Sequence, residues 1–86
     1  MNPVLKVFVV EDCSICHEAL TIATKIARAY PAVTVEIIDI EDAHAIIPEA
    51  VFAAPTYMLN DQIVSLGNPY PEEMARWVQE ALVYFS

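Results

Sequence analysis

The sequence has one glycine, Gly67, and few serines, which leaves little material for a flexible linker or a disordered tract. Cations are also scarce. Lys and Arg number 4 against 12 Asp and Glu, for a formal net charge of -8. A surface of that sign repels a phosphate backbone and excludes nucleic acid as a partner class, while it attracts a protein with a basic docking face. No apolar run approaches the roughly 20 residues of a membrane-spanning helix, so no membrane partner is expected. The opening MNPVLKVFVV has no basic segment ahead of its apolar run and no small-residue cleavage site after it. It reads as a buried strand rather than a signal peptide, and a cytoplasmic location is expected.

Apolar residues, by contrast, are plentiful. At 57% hydrophobic over 86 residues, the chain is expected to build one core in a single domain spanning 1–86, with no internal repeat. Residues 4–10 (VLKVFVV) are a β-branched run suited to a strand buried on both faces, with Lys6 the exception. Beyond Cys13 the period lengthens. Cys16, Leu20, Ala23, Ala27 and Tyr30, with Ile26 beside them, mark one face of a helix that Pro31 ends.

VTVEIIDI (33–40) is a second strand, and Asp42 is placed to cap a short helix that Pro48 interrupts. After Ala54-Pro55, TYMLNDQIVSL supplies two strands around Asn60-Asp61, a pair that tolerates the positive φ of a hairpin. Gly67-Asn68-Pro69 breaks the hairpin. Pro71-Glu72-Glu73 then opens a last helix with Met74, Trp77, Val78, Ala81, Leu82 and Phe85 on its core face. The predicted order is β-α-β-α-β-β-α. The first two strands are parallel through a right-handed crossover, and the hairpin completes a mixed four-stranded sheet flanked by helices.

Both cysteines fall within EDCSICHEAL, residues 11–20, as Cys13-Ser14-Ile15-Cys16 followed by His17. Three chemistries use such spacing: covalent haem attachment through C-x-x-C-H, half of a zinc site, and thiol–disulfide exchange. Haem would need export, a large pocket and usually a second ligand, and nothing in the chain suggests export. For zinc the donors are Cys13, Cys16, His17 and His44, but neighbouring helix residues such as Cys16 and His17 point about 100° apart, which makes chelation awkward. No metal ligand is assigned. His17 reads as an exposed helix residue beside the thiols, and His44 as a surface residue.

A C-x-x-C opening the helix after the first strand, Ala54-Pro55-Thr56 leading into a hairpin, then a glycine and a terminal helix resemble the thioredoxin superfamily. The likeness extends over essentially the whole chain. It is greatest to the compact glutaredoxin-like members, because the chain begins directly at the strand before C-x-x-C. The resemblance implies an α/β thioredoxin-like fold and a thiol–disulfide oxidoreductase whose only redox group is a Cys13–Cys16 disulfide, with no cofactor. It implies substrate contacts from Ser14 and Ile15, from Ala54, Pro55 and Thr56 with Pro55 in the cis form, and from Gly67. The partners implied are protein disulfides and a reductase as electron donor, acting on a monomer.

Placed at the start of a helix, Cys13 meets unsatisfied N–H groups and the positive end of the helix dipole, which favour its thiolate and make it the nucleophile. Cys16, one turn later and facing the core, is suited to resolve the mixed disulfide. Glu11 and Asp12 oppose the dipole at Cys13, and no histidine or proline lies between the cysteines, so a reducing couple rather than an oxidant is expected.

Several departures from the family pattern bear on substrate choice. LGNPYPEEM holds no Gly-Gly-x-Asp-like segment for the glutathione carboxylate, and Val10-Glu11-Asp12 stands where a basic residue is common. An acidic rim repels glutathione, so protein dithiol exchange is expected over glutathione-dependent reduction. The first strand also lacks the family's buried acid, which leaves His17, Glu11 or water to move the proton of Cys16. An alternative of a different class is a thioredoxin-fold redox-sensing or protein-binding module without turnover.

Overall fold

The computed structural model describes residues 2–85, with side chains through residue 83. Its strands are β1 (Val4–Val9), β2 (Thr34–Asp39), β3 (Thr56–Leu59) and β4 (Gln62–Leu66), and its helices are α1 (Cys16–Ala29) and α2 (Pro71–Phe85). They form one mixed sheet in the order β2-β1-β3-β4. β1 runs parallel to β2, with Val4 opposite Thr34 and Val9 opposite Asp39, and antiparallel to β3.

Alternation along β1 decides the layers, because successive strand side chains point to opposite faces. Leu5 and Val7 face a core built with Ala19, Ala23 and Ile26 of α1 and Met74 and Val78 of α2, so both helices cover this side. Phe8 faces the other side, where it packs with Val51 and Met58 beneath Ile38, Ile40, Ile47 and Ile63. β3, between β1 and β4, is buried at all four positions. The hairpin turn lies at Asn60-Asp61, both with positive φ, as expected from that pair. Asn60 also anchors the start of β1, since its Oδ1 accepts the Val4 N–H at 2.9 Å.

The short helix expected after Asp42 does not form. The segment between β2 and β3 carries turns instead. The Asp42 carboxylate accepts the His44 N–H at 2.9 Å, which closes a local turn rather than capping a helix. Pro48 has no N–H and disfavours helical backbone at Ile47, leaving too few residues between the two to nucleate a helix. The segment still covers the second sheet face, through Ile40, Ile47 and Val51.

The buried stripe of α1 is also offset from the expected one. It runs Cys16, Ala19, Ala23 and Ile26, while Leu20 and Ala27 are exposed. Two alanines on the inner face let the helix backbone lie close to the sheet, and this displaces Leu20 to its flank. In α2 the expected face holds: Met74 and Val78 are buried, and Trp77, Ala81 and Leu82 pack against them. The side chain of Phe85 lies outside the described residues.

Replacing Leu5, which is wholly buried in the helix-side core, with alanine is expected to cost about 2–5 kcal/mol in urea unfolding. Ile46→Ala, at a position 92% exposed, is expected to change stability by no more than about 0.5 kcal/mol.

Candidate active site

β1 ends at Val9 and α1 begins at Cys16, so Cys13 belongs to the short connection at the carboxyl end of β1 and Cys16 is the first residue of the helix. Cys13 lies one turn ahead of the helix. The Cys16 N–H donates to the Cys13 carbonyl at 3.1 Å and closes this turn. The Cα atoms are 5.2 Å apart, and the two Sγ atoms are joined as a disulfide. Ile15 is the N-cap of α1 and supplies no side-chain cap.

The two cysteines differ in access. Cys16 is on the inner face of α1 and only 4% exposed, whereas Cys13, ahead of the helix, is half-buried. Beside them lies a shallow cleft of about 260 Å³, lined by Val9, Val10 and Leu20 together with Glu11, His17 and Asp39. Leu20, turned away from the core, therefore serves as a wall of this cleft. His17 is exposed on the first turn of α1, next to both cysteines. His44 is exposed in the turn segment that follows β2.

The second loop at this end precedes β3. The Ala54–Pro55 peptide is cis, as the family resemblance implied. Pro55 is buried and Ala54 half-buried. Thr56 is wholly buried, and its hydroxyl donates to the Ala53 carbonyl at 2.6 Å, so this side chain props the turn from beneath.

The third loop follows β4. The Gly67 N–H donates to the Pro55 carbonyl at 2.8 Å, which binds the second and third loops together. Gly67 has φ +89°, a region that a side chain makes costly, although a Cβ there would touch nothing. Thus the glycine is required by backbone conformation and not by space.

Asn68 joins the third loop to the first. Its Nδ2 donates to the Ile15 carbonyl at 2.9 Å and to Glu18 Oε2 at 3.3 Å, while its Oδ1 accepts the Tyr57 hydroxyl at 2.8 Å. Burial of Tyr57, with the Glu18 carboxylate adding to the effect, pushes its phenol well above the ordinary range, so it remains a protonated donor. These bonds bring Ile15, Pro55 and Gly67 to one end of the sheet. Ser14 is exposed between the cysteines, and Ile15 is 51% exposed.

Sequence reasoning overlooked Asn68, Tyr57 and Asp39. Asn68 read only as part of a Gly-Asn-Pro breaker and Tyr57 only as strand core. Asp39 is brought to the cysteines by the parallel register of β2, which puts it opposite Val9. An amide next to a glycine that ends a strand was the one available signal for Asn68. Among the described residues, no group of three or more His, Cys, Asp and Glu side chains is arranged to hold a metal ion.

A family model described as thioredoxin domain matches residues 4–79. Mitochondrial thioredoxin 3 from Saccharomyces cerevisiae, in its oxidized form, is similar in structure, with a TM-score of 0.74 and 24% identity over 92% of this chain and 78% of that one. Thioredoxin f from spinach chloroplast gives a TM-score of 0.75 at 16% identity, covering 94% of this chain and 71% of that one. Fasciola hepatica thioredoxin gives 0.74 at 15% identity, covering 93% and 81%. At these identities the structural likeness speaks for the fold. No curated protein matches the chain in sequence.

Because the folded-state pKa of Tyr57 lies above its unfolded value near 10, the unfolded chain releases that proton first. Stability should therefore fall as pH rises past about 10, with this residue contributing up to about 1.4 kcal/mol per pH unit. Urea unfolding between pH 8 and pH 11 should show that decline in the wild type, and Tyr57→Phe should flatten it.

Proposed function

The chain belongs to the thioredoxin-domain family and, with Cys13 and Cys16 paired, is a thiol–disulfide oxidoreductase; on that premise we propose that its substrates are disulfides of other proteins. Cys13 is the attacking thiolate in this reading and Cys16 the resolving thiol. The unequal access of the two residues carries the assignment, since an incoming disulfide can meet the half-buried Cys13 but not the 4% exposed Cys16.

The Cys13 thiolate attacks one substrate sulfur, forming an intermolecular disulfide and releasing the other sulfur as a thiolate. Cys16 then attacks Cys13 Sγ. The Cys13–Cys16 disulfide forms, the bond to substrate breaks, and the second substrate sulfur leaves. Two electrons pass to the substrate, and the two protons of the enzyme dithiol match those its thiols take up. A reductase or a dithiol restores the enzyme.

The acidic residues Glu11 and Asp12, both exposed beside Cys13, support protein substrates with basic flanks over glutathione, which carries two carboxylates. The reading further takes the protein to act as a monomer in the cytoplasm, where a reductase keeps it in dithiol form. Substrate peptide would lie along Ser14, Ile15, Ala54, Pro55 and Gly67, with the Ala54 backbone pairing to it.

Insulin reduction with a dithiol donor is the direct test. Activity should drop to background in Cys13→Ser, and Cys16→Ser should accumulate a mixed disulfide that Cys13→Ser does not. Turnover that survives both substitutions would overturn the assignment, and a wild type inactive with every reductant would favour a binding module. Combining Glu11→Gln with Asp12→Asn should raise the rate with glutathione disulfide severalfold at low ionic strength, with the gain vanishing near 1 M salt.

A further inference from the structure

Asn68 occupies an unusual position, because one short side chain bonds to three residues, two at the start of α1 and one on β3. Its backbone is held on both sides: Gly67 is bonded to the Pro55 carbonyl, and Pro69 is buried. Tyr57, at the far end of the side chain, is wholly buried on β3. The amide orientation is dictated by its partners. Reversed, it would turn its oxygen toward the Ile15 carbonyl and the Glu18 carboxylate, setting acceptor against acceptor.

The carbonyl it grips belongs to the peptide bond between Ile15 and Cys16. That carbonyl also accepts the Ala19 N–H, but at 3.3 Å, so the 2.9 Å bond from Asn68 is the shorter of the two. No side chain caps α1 at this point. The turn carrying the cysteines is thus tied to the sheet by the amide of Asn68 as well as by its own helix.

We propose that Asn68 is a positioning residue for the redox couple, clamping the Ile15 carbonyl to Tyr57 so that the Cys13–Cys16 turn keeps its closed geometry when the disulfide opens. The proposal rests on Cys13 and Cys16 being the couple described above. A held turn keeps the two thiols close and raises their effective concentration toward each other, so the internal disulfide forms more readily. Released, the thiols sample wider separations and the disulfide forms less readily. Tyr57 supports the clamp as a donor that stays protonated. Glu18 takes the remaining N–H of the amide.

The test equilibrates the reduced protein with glutathione disulfide. The protein dithiol loses two electrons to become the Cys13–Cys16 disulfide, and glutathione disulfide is reduced to two glutathione thiols, which take the two thiol protons. The link that holds the turn is the single bond to the Ile15 carbonyl, so Asn68→Ala should lower this equilibrium constant about three- to tenfold. Asn68→Asp keeps the acceptor for Tyr57 but sets a carboxylate against the Ile15 carbonyl and Glu18, and should lower the constant at least as far.

Tyr57→Phe frees the other end of the clamp and should give a smaller shift in the same direction. Val78→Ala, a core substitution on α2, should lose thermal stability and leave the constant unchanged, which separates positioning from general destabilisation. An Asn68→Ala constant within about twofold of wild type would overturn the clamp while leaving the dithiol chemistry standing. If that variant does not fold, an unchanged constant in Tyr57→Phe has the same force. A wild type that forms no internal disulfide at any glutathione ratio would overturn both.

Discussion

The placement of β1 between β2 and β3 is the constraint on which the site depends. β1 is paired along both edges and covered on both faces, so its carboxyl end is a fixed point. The chain leaves that point in a short turn and enters α1, which the core pins through Cys16, Ala19, Ala23 and Ile26. The cysteines have little freedom as a result. One is drawn inward by the apolar stripe of its helix, and the other stays on the turn before it. The difference in access between the two thiols follows from this packing rather than from any chemical difference between two identical residues.

Three loops meet at this end because of strand directions. β1 and β4 finish there and β3 starts there, so Cys13, Pro55 and Gly67 sit on neighbouring connections at one end of the sheet. Two hydrogen bonds, Gly67 to Pro55 and Asn68 to Ile15, turn this neighbourhood into one surface. On that surface a partner disulfide would find an exposed Ile15, a buried proline that shapes the turn, and acids at Glu11 and Asp12. Under the proposed function, the apolar part would meet a protein partner and the acidic part would repel the two carboxylates of glutathione.

Local and non-local signals were not equally legible. Asn60-Asp61 announced its hairpin because the positive φ is a local property of those residues. The opening of α2 was also local: Pro71 suits the first helical turn, and Glu73 reaches back to the Tyr70 N–H at 3.2 Å. The segment after β2 misled, because an aspartate that can cap a helix can equally close a turn, and Pro48 decided between them. The stripe of α1 was misplaced at Leu20 and Ala27 because periodicity marks a face only to within about one residue. Which side lies against the sheet depends on the small residues Ala19 and Ala23.

By itself the sequence determined the family pattern: a dithiol spaced C-x-x-C after a buried strand, an Ala-Pro-Thr before a hairpin, and an acidic surface. These are properties of residues a few positions apart, governed by turn chemistry, periodicity and composition. Only the tertiary structure decided which groups far apart in the chain share the site. Asn68 reaches Ile15 across 53 residues and Tyr57 across 11, and β2 brings Asp39 to the cysteine cleft. A short polar side chain such as asparagine leaves no periodic trace, and its partners are set by strand register and loop closure, which exist only once the sheet has formed.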